Sequence, residues 1–208
     1  MSEIKDQFKK HIKNHKMSIL KDDGEYRHII MSDKSPYYHY EIITWPNYLC
    51  FCGDMGTFVF SRLPDMFNFF RQENKEPEIN PGYWKEKLQA QDMSGGAEEY
   101  SSELFTKIIK EIVDQYIYDN ELSEEEGKEL LDEVESEVLW YSEEEGKARE
   151  VAGEFDYKGL KFDDLWERDF RDYTYRYIWC LYAIVHTISL YDNFKNNLKK
   201  DVDKEIEN

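Results

Sequence analysis

Cysteine is scarce: Cys50, Cys52 and Cys180 are the whole complement of a 208-residue chain. An odd set of three gives no disulfide framework, and nothing at the N-terminus joins a basic region to the apolar stretch of a secretory signal, so a reducing, cytoplasmic setting is expected. Long hydrophobic runs are missing as well. The most apolar one, Ile178 to Val185, is broken off by His186, Thr187 and Ser189. It falls well short of the ~20 residues that span a bilayer, so it reads as a buried helix and no membrane partner is expected. DxDxDG, P-loop, GxGxxG and HExxH patterns are absent, which leaves calcium-sensor, nucleotidase, Rossmann and zincin readings without support. No cofactor is expected.

Positive charge is also in short supply, with 27 Lys and Arg against 45 Asp and Glu and a net charge of −18. Residues 120–172 alone hold 20 acidic and 7 basic side chains, whereas residues 1–35 hold 6 and 8. A field of this kind repels nucleic acid and anionic membrane and steers a basic partner surface toward the chain. A solvated, solubilising face is the plain alternative for the same charges. What the chain does have is aromatic surface: 12 Phe, 16 Tyr and 5 Trp supply a core that a disordered acidic chain would lack.

The size suits one domain, 1–208. Ile4, Phe8 and Ile12 fall on one stripe of an N-terminal helix over 1–16. Residues 17–63 read as an antiparallel β-meander, with strands around Arg27 to Met31 and Tyr37 to Trp45 and then YLCFC-GDMG-TFVFS, a hairpin with Phe51 opposite Phe58 and Leu49 opposite Phe60. The part from 64 to 198 reads as helical, with early helical positions for Pro64 and Pro81, a broad stripe from Leu104 to Ile117, and acidic helices at about 122–157. SEEEGK occurs at Ser123 and again at Ser142, and each copy places Ser three residues before Glu as a capping box requires. A last helix is expected from about Asp163 to Leu198, either continuous or with one break, because Trp166, Phe170, Tyr173, Tyr177, Leu181, Ile184, Ile188 and Tyr191 recur at three- and four-residue steps. The tail 199–208 is expected to be flexible. The fold class is therefore α+β: an N-terminal antiparallel β-meander packed against a mainly helical C-terminal half.

Candidate chemistry is sparse. Cys50 and Cys52 are two apart on a strand, so they share a face rather than forming a CxxC metal knuckle, and two half-buried thiols are expected with no metal. His28 and His39 could approach Glu41 or a cysteine, the raw material of a Cys–His nucleophile, but no spacing specifies a reaction and no catalytic residue is assigned. His186 reads as a hydrogen-bonded core histidine. Asp54 at the hairpin tip is read as a turn residue that also has the reach for a cation or partner. For partner binding the candidates are Glu124, Glu125, Glu133, Glu137, Glu143 and Glu144, a row of carboxylates that could imitate nucleic-acid phosphates on a basic groove. Lys9, Lys10, Lys13, Arg27 and Arg62 are the candidates for the alternative, a nucleotide or RNA ligand.

The stretches TWPNYLCFCGDMGTFVFSRLPDMFNFFR (Thr44 to Arg71), INPGYWKEKL (Ile79 to Leu88) and YIWCLYAIVHTISLYD (Tyr177 to Asp192), with YRHI at Tyr26, resemble a family of uncharacterised proteins encoded by bacteriophages and prophages. The resemblance carries no catalytic residues. It implies the cytoplasm of a bacterial host and an accessory role against host defence of the anti-CRISPR type, exerted on a host protein or nucleoprotein complex with a basic surface.

Overall fold

The structure, a computed structural model, describes residues 1–71 and 78–206. In chain order, α1 (Ser2–His11) leads into strands β1 (Lys16–Asp23), β2 (Tyr26–Ser32), β3 (Tyr40–Trp45), β4 (Tyr48–Gly53) and β5 (Gly56–Ser61). Two short helices, α2 (Met66–Phe70) and α3 (Pro81–Lys85), precede β6 (Leu88–Gln91) and β7 (Glu98–Tyr100). Helices α4 (Ser102–Asp119), α5 (Glu124–Glu137) and α6 (Glu145–Glu154) follow, then the short strands β8 (Asp156–Tyr157), β9 (Leu160–Lys161) and β10 (Arg171–Tyr173), and finally α7 (Tyr175–Ile206). The chain divides into two compact units, Met1–Glu98 with Tyr173–Asn208, and Glu99–Asp172. The fold class is α+β.

The first unit is built on a six-stranded antiparallel meander, β1 to β6 in sequence order. Its alternation has period two, as a sheet with one buried face demands. Ile29, Met31, Tyr40, Ile42, Leu49, Phe51, Phe58 and Phe60 point into the core and are fully or almost fully buried. The hairpin register is the expected one, with Phe51 opposite Phe58 and Leu49 opposite Phe60. Gly53 has to be glycine, since a Cβ there would lie 2.7 Å from the Tyr40 Cα and closer still to the His39 carbonyl. Pro46 presets the turn from β3 to β4, and Asn47 takes the left-handed conformation at φ 73°. The cover on this face is α7, buried on nearly every side from Tyr177 to Val185. Phe8 of α1 packs edge-on against Trp179 at 5.1 Å between ring centroids.

Several expected boundaries move. Helix α7 begins at Tyr175 rather than near Asp163, because Thr174 caps it: its hydroxyl accepts the Tyr177 N–H at 3.2 Å. Trp166 and Phe170 therefore stand outside that helix, and the spacing that joined them to it crosses the extended residues of β10. Pro64 lies just before α2, where Asp65 is the N-cap, whereas Pro81 opens α3 with Asn80 as cap. Leu88–Gln91, expected to be helical, hydrogen-bonds as an edge strand beside β5. Helix α7 continues to Ile206, so residues 199–206 are helical, while Glu207 and Asn208 lie outside the described residues.

The second unit is mainly helical. Phe105, Ile109 and Val113 of α4, Leu130 and Val134 of α5 with Val138 just beyond it, and Ala148 and Ala152 of α6 form its core with Phe155, Leu160, Phe162, Leu165 and Phe170. Gly127 lets α5 come close to α4, for a Cβ there would sit 3.3 Å from Ile117. The capping box at Ser123 and Glu126 is complete in both directions. The one expected at Ser142 does not form. Residues Leu139–Tyr141 make a 3-10 turn that continues into Ser142 with helical dihedrals, and an N-cap side chain needs extended backbone to reach forward. Glu144 takes the N-cap position of α6, and Glu145 accepts Arg149 Nε at 3.1 Å instead.

Candidate functional site

The charge expected on the acidic helices is concentrated further by the division into units. Residues 99–172 contain 25 acidic and 9 basic side chains, a net charge of −16, which leaves −2 for the rest of the chain. Glu124, Glu125, Glu137, Glu143 and Glu144 are exposed and Glu133 is half-buried. They do not form one row. Glu133 and Glu137 lie one turn apart along one edge of α5 and border a cavity of about 380 Å³ with Tyr141, Glu154, Phe155, Asp156 and Tyr157. Glu124 and Glu125 occupy the first turn of α5, at other angles around its axis, where their charge complements the helix dipole. Glu143 accepts the Ser102 hydroxyl at 3.3 Å, so it is tied locally to the start of α4.

Two side chains that carry no charge distinguish this unit from an ordinary solvated surface. Trp140 is 79% exposed and Trp166 is 77% exposed. Trp166 borders a cavity of about 560 Å³ together with Phe162, Leu165, Arg149 and Arg171. Arg149 is spent on structure, with bonds to Glu145 and to the carbonyls of Leu165 and Arg168 and a guanidinium 4.6 Å above the Phe170 ring. Reading from sequence missed both tryptophans. Trp140 was legible, since it falls two residues after Val138 and thus on the opposite side from the Leu130–Val134–Val138 stripe. Trp166 carried a signal too, lying among Asp163, Asp164, Glu167, Arg168 and Asp169.

The basic candidates separate. Lys9, Lys10, Lys13 and Arg62 are exposed. Arg27 is buried: it binds both carboxylate oxygens of Asp65 at 2.9 and 3.0 Å and lies 4.5 Å over the Phe67 ring, so it is committed to the core and not to a ligand.

The outer face of the meander carries the remaining chemistry. Cross-strand register puts Ile30, Glu41, Cys52 and Thr57 in one row and His28, Ile43, Cys50 and Val59 in the next. His28 Nε2 meets Glu41 Oε2 at 2.6 Å, with both side chains about one-third exposed. His39 is turned away, its Nδ1 bonded to the Pro36 carbonyl. The Cys50 thiol donates to the Phe51 carbonyl at 3.8 Å, and its closeness lowers the pKa of the Cys52 thiol against burial and the Glu41 charge, with His28 and His39 assisting. The neighbouring Cys52, then burial, pushes Cys50 upward. Among the described residues no group of three His, Cys, Asp or Glu is placed to hold a metal ion. Asp54 serves its own turn region by accepting the Tyr38 N–H at 2.9 Å. His186 packs edge-on against Phe8, and burial, then the nearby His15, lowers its pKa.

No family, curated protein or solved structure matches this chain. Among the described residues no helix is long and apolar enough to cross a membrane.

Proposed function

We propose that the protein is an interaction protein whose acidic unit, residues 99–172, binds a basic surface on a macromolecular partner. In the setting implied by its resemblance to phage and prophage proteins, that partner is a nucleic-acid-handling host defence complex, and the chain acts as its inhibitor. The observation that carries the reading is the net charge of −16 on one compact unit that also leaves Trp140 and Trp166 in solvent. An exposed indole lowers no free energy in the unbound chain, and tryptophan is among the side chains that most often dominate interface energetics. The surrounding glutamates supply steering and reject anionic partners. The alternative of a nucleotide or RNA ligand keeps Lys9, Lys10, Lys13 and Arg62 but loses Arg27.

The test is recovery of partners from infected host cells with the tagged chain, against a variant in which Glu124, Glu125, Glu133, Glu137, Glu143 and Glu144 are reversed to Lys. The native protein should retain a partner in a salt-sensitive way, and the reversed protein, still folded by circular dichroism, should not. Equal capture and equal protection of the phage by both proteins would sink the reading. Nucleic acid retained by the native protein without any protein partner would favour the alternative.

A further inference from the structure

The cavity beside Trp166 has a floor that the acidic-unit reading leaves unused. Gly153, in the last turn of α6, borders it, and nothing stands within 4 Å of the position its Cβ would take. Its backbone is not left-handed, so neither conformation nor packing calls for glycine there, although glycine within a helix costs stability relative to alanine. What the missing side chain leaves is room. Phe162 and Leu165, both almost fully buried, supply apolar wall, and the exposed indole of Trp166 stands at the border. A volume of about 560 Å³ is that of a small-molecule site, where mostly apolar walls carry a few placed polar groups. The polar groups here are Glu145, Arg149 and Arg171. Arg149 is bonded to Glu145 and to the Leu165 and Arg168 carbonyls. The half-exposed Arg171 lies 3.9 Å from Glu145, beyond hydrogen-bond reach, so its guanidinium is the uncommitted donor.

We propose that this cavity binds a small planar aromatic acid, with its ring among Trp166, Phe162 and the open backbone of Gly153 and its carboxylate on Arg171. Aromatic walls favour an aromatic guest through offset or edge-to-face contact. A guanidinium meets a carboxylate with two parallel N–H···O bonds, which fixes the orientation of that guest. Two arginines against the single carboxylate of Glu145 make the border locally positive within a unit of net charge −16. The field of the unit opposes an anion. Exposed charges farther off than about 8 Å are largely screened at physiological salt, however, whereas a contact pair in a partly buried cavity is screened much less. A nucleotide fits poorly, because its base edge and ribose hydroxyls would lie against Phe162, Leu165 and Gly153, whose side chains offer no hydrogen-bond partner. A cationic ligand would meet two guanidinium groups. The site goes beyond the acidic-unit reading and does not rest on it, since it needs no macromolecular partner.

The test titrates the full-length protein, by ligand-observed NMR, with three probes built on one ring: indole-3-acetate, its neutral isostere indole-3-acetamide, and cationic tryptamine. Indole-3-acetate should bind most tightly and tryptamine least. Arg171→Gln should weaken indole-3-acetate by about tenfold or more, the worth of hydrogen bonds to a charged group, and leave indole-3-acetamide nearly unchanged. Trp166→Ala should weaken both. Gly153→Leu puts a good helix former into open space, so it should fold with a thermal midpoint no lower than that of the native protein, and it should abolish binding of every probe. Should that midpoint fall, the comparison of indole-3-acetate with indole-3-acetamide in Arg171→Gln still decides, because neutralising a half-exposed arginine leaves the core untouched. No binding of indole-3-acetate at millimolar concentration, equal affinity for the three probes, a preference for tryptamine, or binding that a folded Gly153→Leu protein retains would each overturn the proposal.

Discussion

Arg27 illustrates how one side chain ties together distant parts of the first unit. Its guanidinium joins Asp65, which also caps α2 by accepting the Phe67 N–H, and its plane lies against Phe67 and Tyr191. Arg27→Met would keep the packing stem but leave Asp65 without its counter-charge. Removing one partner of a largely buried pair costs roughly 3 kcal/mol or more, so the urea midpoint of the first unit should fall clearly, and Asp65→Asn should fall with it. An unchanged midpoint in both would mean that the pair is no more than a surface contact. Two histidines give the same unit a pH dependence. Burial lowers the pKa of His11, helped by Lys10, and of His186, helped by His15. A histidine held neutral in the folded state takes up a proton more readily once unfolded, so stability rises with pH through this range. It is complete above the unfolded value of about 6.5 and is lost as pH falls from there toward the lower folded values. Thermal unfolding from pH 7.5 downward should show this loss before carboxylates titrate, and His186→Gln should flatten it.

At the scale of elements, the two SEEEGK segments make a controlled comparison. Ser123 caps α5 and exchanges hydrogen bonds with Glu126, whereas Ser142 ends a 3-10 turn and offers its carbonyl to Tyr100 at 2.7 Å. Ser123→Ala should therefore destabilise the second unit by about 1 kcal/mol, and Ser142→Ala should leave it nearly unchanged; equal losses in denaturant titrations would contradict the asymmetry. The contrast also marks the limit of reading this chain as sequence. Local patterns were legible: the Phe51–Phe58 register, the Leu130–Val134–Val138 face, Pro81 as a helix start, and the α+β class itself. The edge strand at Leu88 was not, because its pairing depends on the open hydrogen-bonding side of β5, nearly thirty residues earlier in the chain. The apparent continuity of Trp166 and Phe170 with α7 was an accident of spacing that the extended β10 interrupts. For the sites, Cys50 and Cys52 could be placed on one face from their spacing, but the meeting of His28 with Glu41 beside them depends on the register of three strands. The exposure of Trp166 depends on the path of a loop that no periodicity describes.

For the molecule as a whole, the chain separates a nearly neutral unit from a strongly acidic one, with −2 and −16 net charges. Each has its own hydrophobic core, and the two ends of the first unit that flank residues 99–172 are already held together, since the Thr174 N–H bonds the Ala97 carbonyl at 3.0 Å and its hydroxyl bonds the Gly96 carbonyl at 2.8 Å. Replacing 99–172 by a short Gly/Ser linker should therefore leave the first unit folded, with the near-ultraviolet signal of buried Trp179 retained. The acidic unit should respond to salt in two opposed ways. Its own stability should rise with ionic strength, because like charges packed on one small body repel and the screening length falls from about 8 Å at physiological salt to about 3 Å at 1 M. Its affinity for a basic partner should fall over the same range, because the attraction is screened by the same ions. A deletion protein that still captured the partner, or a capture that strengthened with salt, would move the interaction away from residues 99–172. Loss of capture in the deletion, together with loss in a Trp140→Ala, Trp166→Ala variant that keeps every glutamate, would identify the indoles as the anchors and the carboxylates as their guide.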